Sequence, residues 1–174
     1  MSKVNLHSGC YMHDQSPDKA PKVATMKVTK SQYIGPNSVG DFSWMIDRPE
    51  YARSLFIFND NEMQFIAFHT GHAAGLSAGG GNAAIRPYQG HSPIRAAGIP
   101  TGNHGGYQKL DKNVRALVDD AIAHIRRLLA TGNYDQVIFS YDAKNETIGT
   151  GIFQVADEVK DYIYESICSL GDPQ

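Results

Sequence analysis

The chain has 174 residues, which is long enough for a single domain with a proper hydrophobic core. With 41% hydrophobic and 20% charged residues, its composition is that of an ordinary globular protein. The formal net charge of -2 argues against a general nucleic-acid-binding protein, which usually carries a basic face. Nucleic acid is therefore not an expected partner.

The cysteine spacing and the lack of long apolar runs argue against several further classes of protein. Cys10 and Cys168 lie near opposite ends of the chain and form neither a disulfide framework nor a C-x-x-C zinc motif. Residues 1–20 are polar, and no apolar run has the length of a signal-peptide core or a membrane span. The sequence therefore predicts a cytoplasmic protein with reduced thiols and no membrane association.

Residues 1–22 show no hydrophobic periodicity and predict an irregular N-terminal arm, followed by one α/β domain over residues 23–170. A flexible tail is the simplest interpretation of the arm. The arm also carries Leu6, Tyr11 and Met12, so packing on a neighbouring subunit stays open, and with it a homo-oligomer.

The first half of the domain predicts two strands with a turn and a short helix between them. Residues 23–29 are partly apolar and β-branched, which favours a strand, and residues 34–40 form a turn cluster. A short helix is predicted over residues 49–54, since proline suits the first helical position. Residues 54–58 end in a continuous apolar run, which is typical of a parallel strand buried on both faces.

Glycine-rich loops separate the elements in the middle of the chain. The polar residues 59–61 follow the apolar strand, and residues 71–81 hold five glycines. A short helix is predicted over residues 82–88, and a second buried strand over residues 96–99. Residues 100–106 then form another glycine-rich loop.

The clearest helix spans residues 111–130, where apolar residues recur at helical spacing and Asp111 is a suitable N-cap. Residues 137–141 predict a third strand, and residues 142–151 predict a polar loop. Apolar residues at helical spacing over residues 155–167 mark a final helix.

This alternation predicts an α/β fold with a mostly parallel or mixed sheet flanked by helices, in a compact three-layer architecture. In open parallel sheets, ligands bind beyond the carboxyl ends of the strands. The loops at Asn59, Thr101 and Thr150 each follow a candidate strand. We therefore expect these loops to converge on one rim of the sheet, at the carboxyl ends of its strands.

The triple glycine is the first candidate for ligand binding. Gly79, Gly80 and Gly81 let the backbone turn its N–H groups towards a phosphate, and a helix starting at Asn82 adds its dipole. Arg86 offers a bidentate, charge-assisted contact to the same anion. A flexible loop that merely tolerates glycine is the alternative.

Polar residues after the first buried strand are the second candidate. The amides of Asn59 and Asn61 suit a ribose or a base edge, and Asp60 is a hydrogen-bond acceptor for ribose hydroxyls or a base amine. The alternative is ordinary turn chemistry, because Asn and Asp are common turn residues.

Paired Thr-Gly loops are the third candidate. Thr101-Gly102 and Gly149-Thr150-Gly151 combine a hydroxyl with glycine N–H groups, which suits ribose or phosphate oxygens. Tight strand-to-helix turns would explain the same residues.

The histidines predict no metal site. His69 and His72 have i, i+3 spacing, but Thr70 and Gly71 between them argue against a shared helix. No cysteine or carboxylate completes a ligand set, so neither a metal nor a cofactor is predicted. Asp60 and His104 are the weak catalytic candidates, and no nucleophile elbow, Walker loop or Gly-x-Gly-x-x-Gly motif is present.

Four ordered motifs make the chain resemble a family of bacterial and phage proteins. The family carries a Phe-Gly-Asp-Asn strand end, a Gly-Gly-x-Ala-x-Ile-Arg loop, a Gly-Ile-Pro-Thr segment and a terminal Gly-x-Gly-Thr-Gly segment. The corresponding residues here are 58–61, 80–86, 97–101 and 148–151, within a match that covers residues 55–163. The chain departs from the family at Asn59, where glycine is usual, and at residues 146–148, where a further glycine is common.

The layout is also similar, more distantly, to that of macro domains, which bind ADP-ribose. The resemblance implies that Asn61 and residues 79–82 approach the distal ribose and phosphates. It also implies that Thr101-Gly102 or Thr150-Gly151 completes the phosphate cradle. The stretch between the triple glycine and the Thr101 segment is shorter here, which implies that a strand–helix unit is missing.

Three functions stay open. The first is binding of a phosphate-bearing, nucleotide-like ligand such as ADP-ribose, with sequestration of a signal as its purpose. The second is hydrolysis of an ADP-ribosyl or nucleotide bond, with Asp60 or His104 activating water. The third is an assembly role for the N-terminal arm. The sequence leaves open whether the protein is an enzyme.

Overall fold

A computed structural model describes residues 25–151 and 153–172 of the chain. The strands are β1 (Lys27–Ser31), β2 (Ser54–Asn61), β3 (Ala96–Gly102), β4 (Gln136–Asp142) and β5 (Thr147–Ile148). The α-helices are α1 (Phe42–Met45), α2 (Glu62–His69), α3 (Lys112–Leu129) and α4 (Asp157–Cys168). Short 3-10 helices lie at Pro49–Tyr51, Ala73–Leu76, Gly81–Gly90 and Ser169–Gly171.

Four strands form a parallel sheet in the order β1-β4-β2-β3, and the short β5 pairs antiparallel with β4. The central strands are matched in register, with Leu55 opposite Val137 and Phe58 opposite Gly98. Parallel strands need crossover connections, which here are made by helices and long loops. The predicted α/β fold with a mostly parallel sheet flanked by helices is confirmed.

Alternation along the strands builds one hydrophobic cluster on each face of the sheet. Leu55, Ile57 and Phe139 face α3 and α4. Phe56 and Phe58 face α1 and the 3-10 helix Gly81–Gly90. A strand that buries both faces needs apolar residues at successive positions, which explains the unbroken run in β2.

Three sequence predictions of element bounds are wrong. The first strand is Lys27–Ser31 rather than 23–29, and residues 23–24 lie outside the described residues. The helix predicted at 49–54 is only the 3-10 turn Pro49–Tyr51, because the backbone enters β2 at Ser54. The loop predicted at 142–151 contains β5, which folds back on β4 as a hairpin.

Two predicted strands are longer than expected. β2 runs through Asn61 and β3 through Gly102, so both motifs that were predicted as loops are the carboxyl ends of strands. Asn61 then caps α2 directly, since its side chain accepts the Met63 N–H at 2.9 Å. The strand-to-helix connection therefore has no intervening loop.

The described residues contain no helix that is long and apolar enough to cross a membrane. The predicted arm at residues 1–22 lies outside the described residues.

Candidate functional site

The predicted convergence of loops occurs at the carboxyl end of β2. Asn59 donates a hydrogen bond from Nδ2 to the Gly149 carbonyl oxygen at 2.5 Å, which ties the loop after β5 to β2. Asn61 donates from Nδ2 to the Asn103 carbonyl oxygen at 2.7 Å, which ties down the loop after β3. Both amides therefore act on neighbouring backbone and hold the rim together.

The glycine-rich segment reaches the same strand end through a buried ion pair. Arg86 donates from Nε and Nη2 to Asp60 Oδ1, at 2.9 and 2.6 Å, and from Nη1 to the Ser77 carbonyl oxygen at 2.6 Å. The Arg86 and Asp60 side chains are 6% and 0% exposed. These contacts satisfy the Arg86 charge inside the protein and fix residues 77–86 against the sheet.

Asp60 is enclosed on its remaining side as well. Its Oδ2 is buried without a hydrogen-bond partner in the described part of the chain, and it lies against Gly98. Burial raises the pKa of the Asp60 carboxyl, while the Arg86 guanidinium and the Asn61 N–H oppose that rise. Asp60 serves here as the internal counter-ion of Arg86.

The tip of the triple-glycine loop is exposed. Gly79 is tied back, because its N–H donates to the Ala83 carbonyl oxygen at 2.9 Å and Arg86 packs against it. Gly80 and Gly81 face open space, and Gly81 has a φ of +54°, which favours glycine. A 3-10 helix begins at Gly81, one residue before the predicted helix start. Asn82, in its first turn, is half-buried.

Other glycines of the rim are required by packing. A Cβ on Gly149 would lie 2.7 Å from Ser140 Oγ, and one on Gly98 would lie 2.5 Å from Asp60 Oδ2. A Cβ on Gly102 or Gly106 would collide with neighbouring backbone. Close approach of the loops therefore explains part of the glycine content without a ligand.

The two Thr-Gly motifs differ in their exposure. Thr101 is buried, and its hydroxyl donates to the Asp60 carbonyl oxygen at 3.4 Å. Thr150 lies nearer the surface, where its hydroxyl donates to the Phe153 carbonyl oxygen at 3.0 Å. Gly151 faces open space. The Thr150-Gly151 motif is therefore the one of the two that solvent reaches.

Glu62 is a rim residue that sequence reasoning missed. It opens α2 immediately after Asn61, and its Oε2 accepts the Tyr107 hydroxyl at 2.7 Å. Burial and this hydrogen bond raise the pKa of the Tyr107 phenol, so Tyr107 remains a neutral donor to the carboxylate. An acidic residue directly after an Asn N-cap was the sequence signal available.

The histidines of the described residues do not form a metal-binding group with other residues. His69 lies beside His124 of α3, with ring centroids 5.0 Å apart and planes perpendicular, while His72 lies outside α2. No group of three or more potential metal ligands occurs within residues 25–151 and 153–172. His104, the other catalytic candidate, is exposed on the loop after β3.

A shallow pocket of about 480 Å³ lies elsewhere, beside α1. None of the predicted site residues lines it. Comparison of the chain with protein-family models, with curated proteins and with solved structures finds no match.

Proposed function

We propose that the rim at the end of β2 binds a phosphate-bearing, nucleotide-like small molecule such as ADP-ribose. The observation that carries this proposal is the placement of two exposed loops beside one strand end. Arg86 and Asp60 hold the Gly80-Gly81 tip on one side of β2, and Asn59 holds the Gly149–Gly151 loop on the other. The carboxyl edge of a parallel sheet is the usual ligand position in open α/β folds.

The exposed glycines suit an anion because no side chain covers their backbone. Gly80 precedes the first turn of a ten-residue 3-10 helix, whose first N–H groups point out of the helix end. Thr150 adds a hydroxyl on the opposite loop. In this proposal Arg86 acts by fixing the loop, since Asp60 and Ser77 occupy its donors.

The burial of Asp60 favours binding over hydrolysis. A general base has to reach the proton that it removes, and Asp60 is enclosed by Arg86 and Gly98. His104 is exposed but has no hydrogen-bond partner among the described residues to orient its ring. We therefore propose sequestration of a cytoplasmic ligand in preference to turnover.

The decisive experiment compares Gly80→Asp with Gly80→Asn. Gly80 has an ordinary φ of -84° and open space around it, so both side chains are accommodated. The two differ by one negative charge next to the proposed phosphate. The ligand panel is ADP-ribose, NAD, cyclic ADP-ribose and AMP. We expect a member of this panel to raise the melting temperature of wild type and of Gly80→Asn. The same rise in Gly80→Asp should require at least a tenfold higher ligand concentration.

Flat melting curves for wild type across this panel would overturn the proposal. Equal stabilisation of Gly80→Asp and Gly80→Asn would show that the glycine loop does not contact the anion. Formation of hydrolysis products from the ligand during the assay, measured by chromatography after the protein is denatured, would indicate hydrolysis instead of sequestration.

A further inference from the structure

A second concave site lies on the α1 side of the sheet, formed by residues 37–49. It is an open depression of about 480 Å³ lined by both signs of charge, since Arg48, Asp41 and Asp47 all contribute to its wall. Trp44 and Pro49 supply apolar surface, and Ser43 supplies a hydroxyl. The pocket therefore combines the groups that a small amphiphilic ligand requires.

Arg48 is the unsatisfied group of this pocket. Its guanidinium lies over the Trp44 ring, with the Cζ atom 3.7 Å from the ring centroid. The Nε atom is buried without a hydrogen-bond partner, and Arg48 forms no ion pair within the described part of the chain. A stacked guanidinium is held in one plane, which preorganises its donors for a carboxylate.

Asp41 and Asp47 are the groups of the pocket that attract a positive charge. Asp47 accepts the Tyr88 hydroxyl at Oδ1 at 2.6 Å, which holds the carboxylate while the acceptor capacity of Oδ2 remains. Asp41 is more fully used, because its two oxygens accept the N–H groups of Asn37, Ser43 and Trp44. Asp47 is therefore the better partner for an ammonium group.

The balance of charge selects the ligand class. The lining carries two carboxylates and one guanidinium, so a phosphate dianion meets a net negative wall. A zwitterion meets a counter-charge at each end. We propose that this pocket binds a free α-amino acid with an apolar or aromatic side chain, its carboxylate on Arg48, its ammonium on Asp47 and its side chain against Trp44.

The test uses the intrinsic fluorescence of Trp44, which is the only tryptophan in the chain. Titration with L-phenylalanine is expected to change the Trp44 emission and to give a matching isotherm by calorimetry. L-phenylalaninamide lacks the carboxylate and N-acetyl-L-phenylalanine lacks the ammonium, so each is expected to bind at least tenfold more weakly.

Variants separate the two charges. Arg48→Gln and Asp47→Asn are each expected to weaken phenylalanine binding at least tenfold, and Arg48→Lys is expected to weaken it less than Arg48→Gln. Glu50→Gln removes an exposed charge next to the pocket and should leave binding unchanged. Circular dichroism and melting temperature confirm that each variant is folded.

Three results would overturn the proposal. These are no emission change and no heat with phenylalanine up to its solubility limit, unchanged affinity in Arg48→Gln, and equal affinity for phenylalanine and either blocked derivative. Each of them shows that the paired charges do not recognise a zwitterion.

Discussion

Asp60 and Arg86 form an ion pair that links the glycine-rich segment to the end of β2. Neither side chain has substantial contact with solvent, so each depends on the other for its counter-charge. A buried charge left without a partner is far more costly than an exposed one. The position of the Gly80-Gly81 loop tip therefore depends on this buried ion pair.

We expect Arg86→Met to lower the free energy of unfolding by about 3–5 kcal/mol, because the Asp60 carboxylate stays buried and unpaired. Urea denaturation measures this loss. The exposed ion pair Arg53–Asp135 is the matched control, and Arg53→Met should lower the free energy of unfolding much less than Arg86→Met. Adding Asp60→Asn to Arg86→Met should restore part of the loss, and a strictly additive double variant would contradict the coupling.

Gly102, at the end of β3, and Gly105, in the segment that follows, differ in their surroundings. A Cβ on Gly102 would collide with the Gly105 carbonyl oxygen, whereas a Cβ on Gly105 meets open space. We expect Gly102→Ala to destabilise the protein by about 1–3 kcal/mol through overpacking. Gly105→Ala should lie within about 0.5 kcal/mol of wild type in the same thermal melts. Equal effects of the two substitutions would show that packing does not set the glycine requirement.

At the scale of elements, α2 and α3 meet through an aromatic cluster that contains two histidines. His124 packs edge-on against His69 and Phe68, and its Nε2 is buried without a hydrogen-bond partner in the described part of the chain. Burial, together with His69 and Arg127, lowers the pKa of His124 to about 4. Burial and Arg127 also lower the pKa of His69, which Asp120 partly opposes.

This cluster predicts acid sensitivity. The His124 pKa is lower in the folded protein than the ordinary value of 6.5, so the unfolded chain takes up the proton first as pH falls. The neutral His124 ring makes its full contribution to the free energy of unfolding above pH 6.5. This contribution is lost as the pH falls from 6.5 to about 4. Because the ring is only part-buried, solvent screening reduces this loss to on the order of 1 kcal/mol.

Urea denaturation of wild type and His124→Phe at pH 7 and pH 4 measures the effect. The phenylalanine ring keeps the packing and removes the proton site, so the variant should lose less stability on acidification than wild type. Parallel pH profiles for the two proteins would refute the assignment to His124.

At the scale of the molecule, one sheet carries a hydrophobic cluster on each face. β2 and β4 contribute alternate residues to both clusters, so neither layer of helices has a sheet of its own. Shared strands of this kind favour a single cooperative unfolding transition.

Ile125→Ala tests this cooperativity. Ile125 is fully buried on α3, on the face of the sheet opposite α1 and Trp44. The cavity should lower the free energy of unfolding by about 2–5 kcal/mol. Trp44 fluorescence and far-ultraviolet circular dichroism should report the same shifted midpoint. A Trp44 transition that stays at the wild-type midpoint would show that the two layers unfold separately.

The hydrophobic pattern within single segments was sufficient to predict much of the architecture. The unbroken apolar run of β2 and the helical spacing of α3, capped by Asp111, identify these elements from neighbouring residues alone. Their alternation then leads to the parallel sheet, and to loops that are held at the carboxyl end of β2. α2 was missed because apolar residues occupy nearly every side of that short helix, which hides its period.

The sequence by itself determined the α/β class and the longest elements, such as β2 and α3, because hydrophobic periodicity and turn chemistry are local properties. Only the tertiary structure decided what Arg86 and Asn59 contact, since their partners Asp60 and Gly149 are distant in the chain. Partners that lie far apart in the chain are brought together by packing between elements, and no local spacing encodes them.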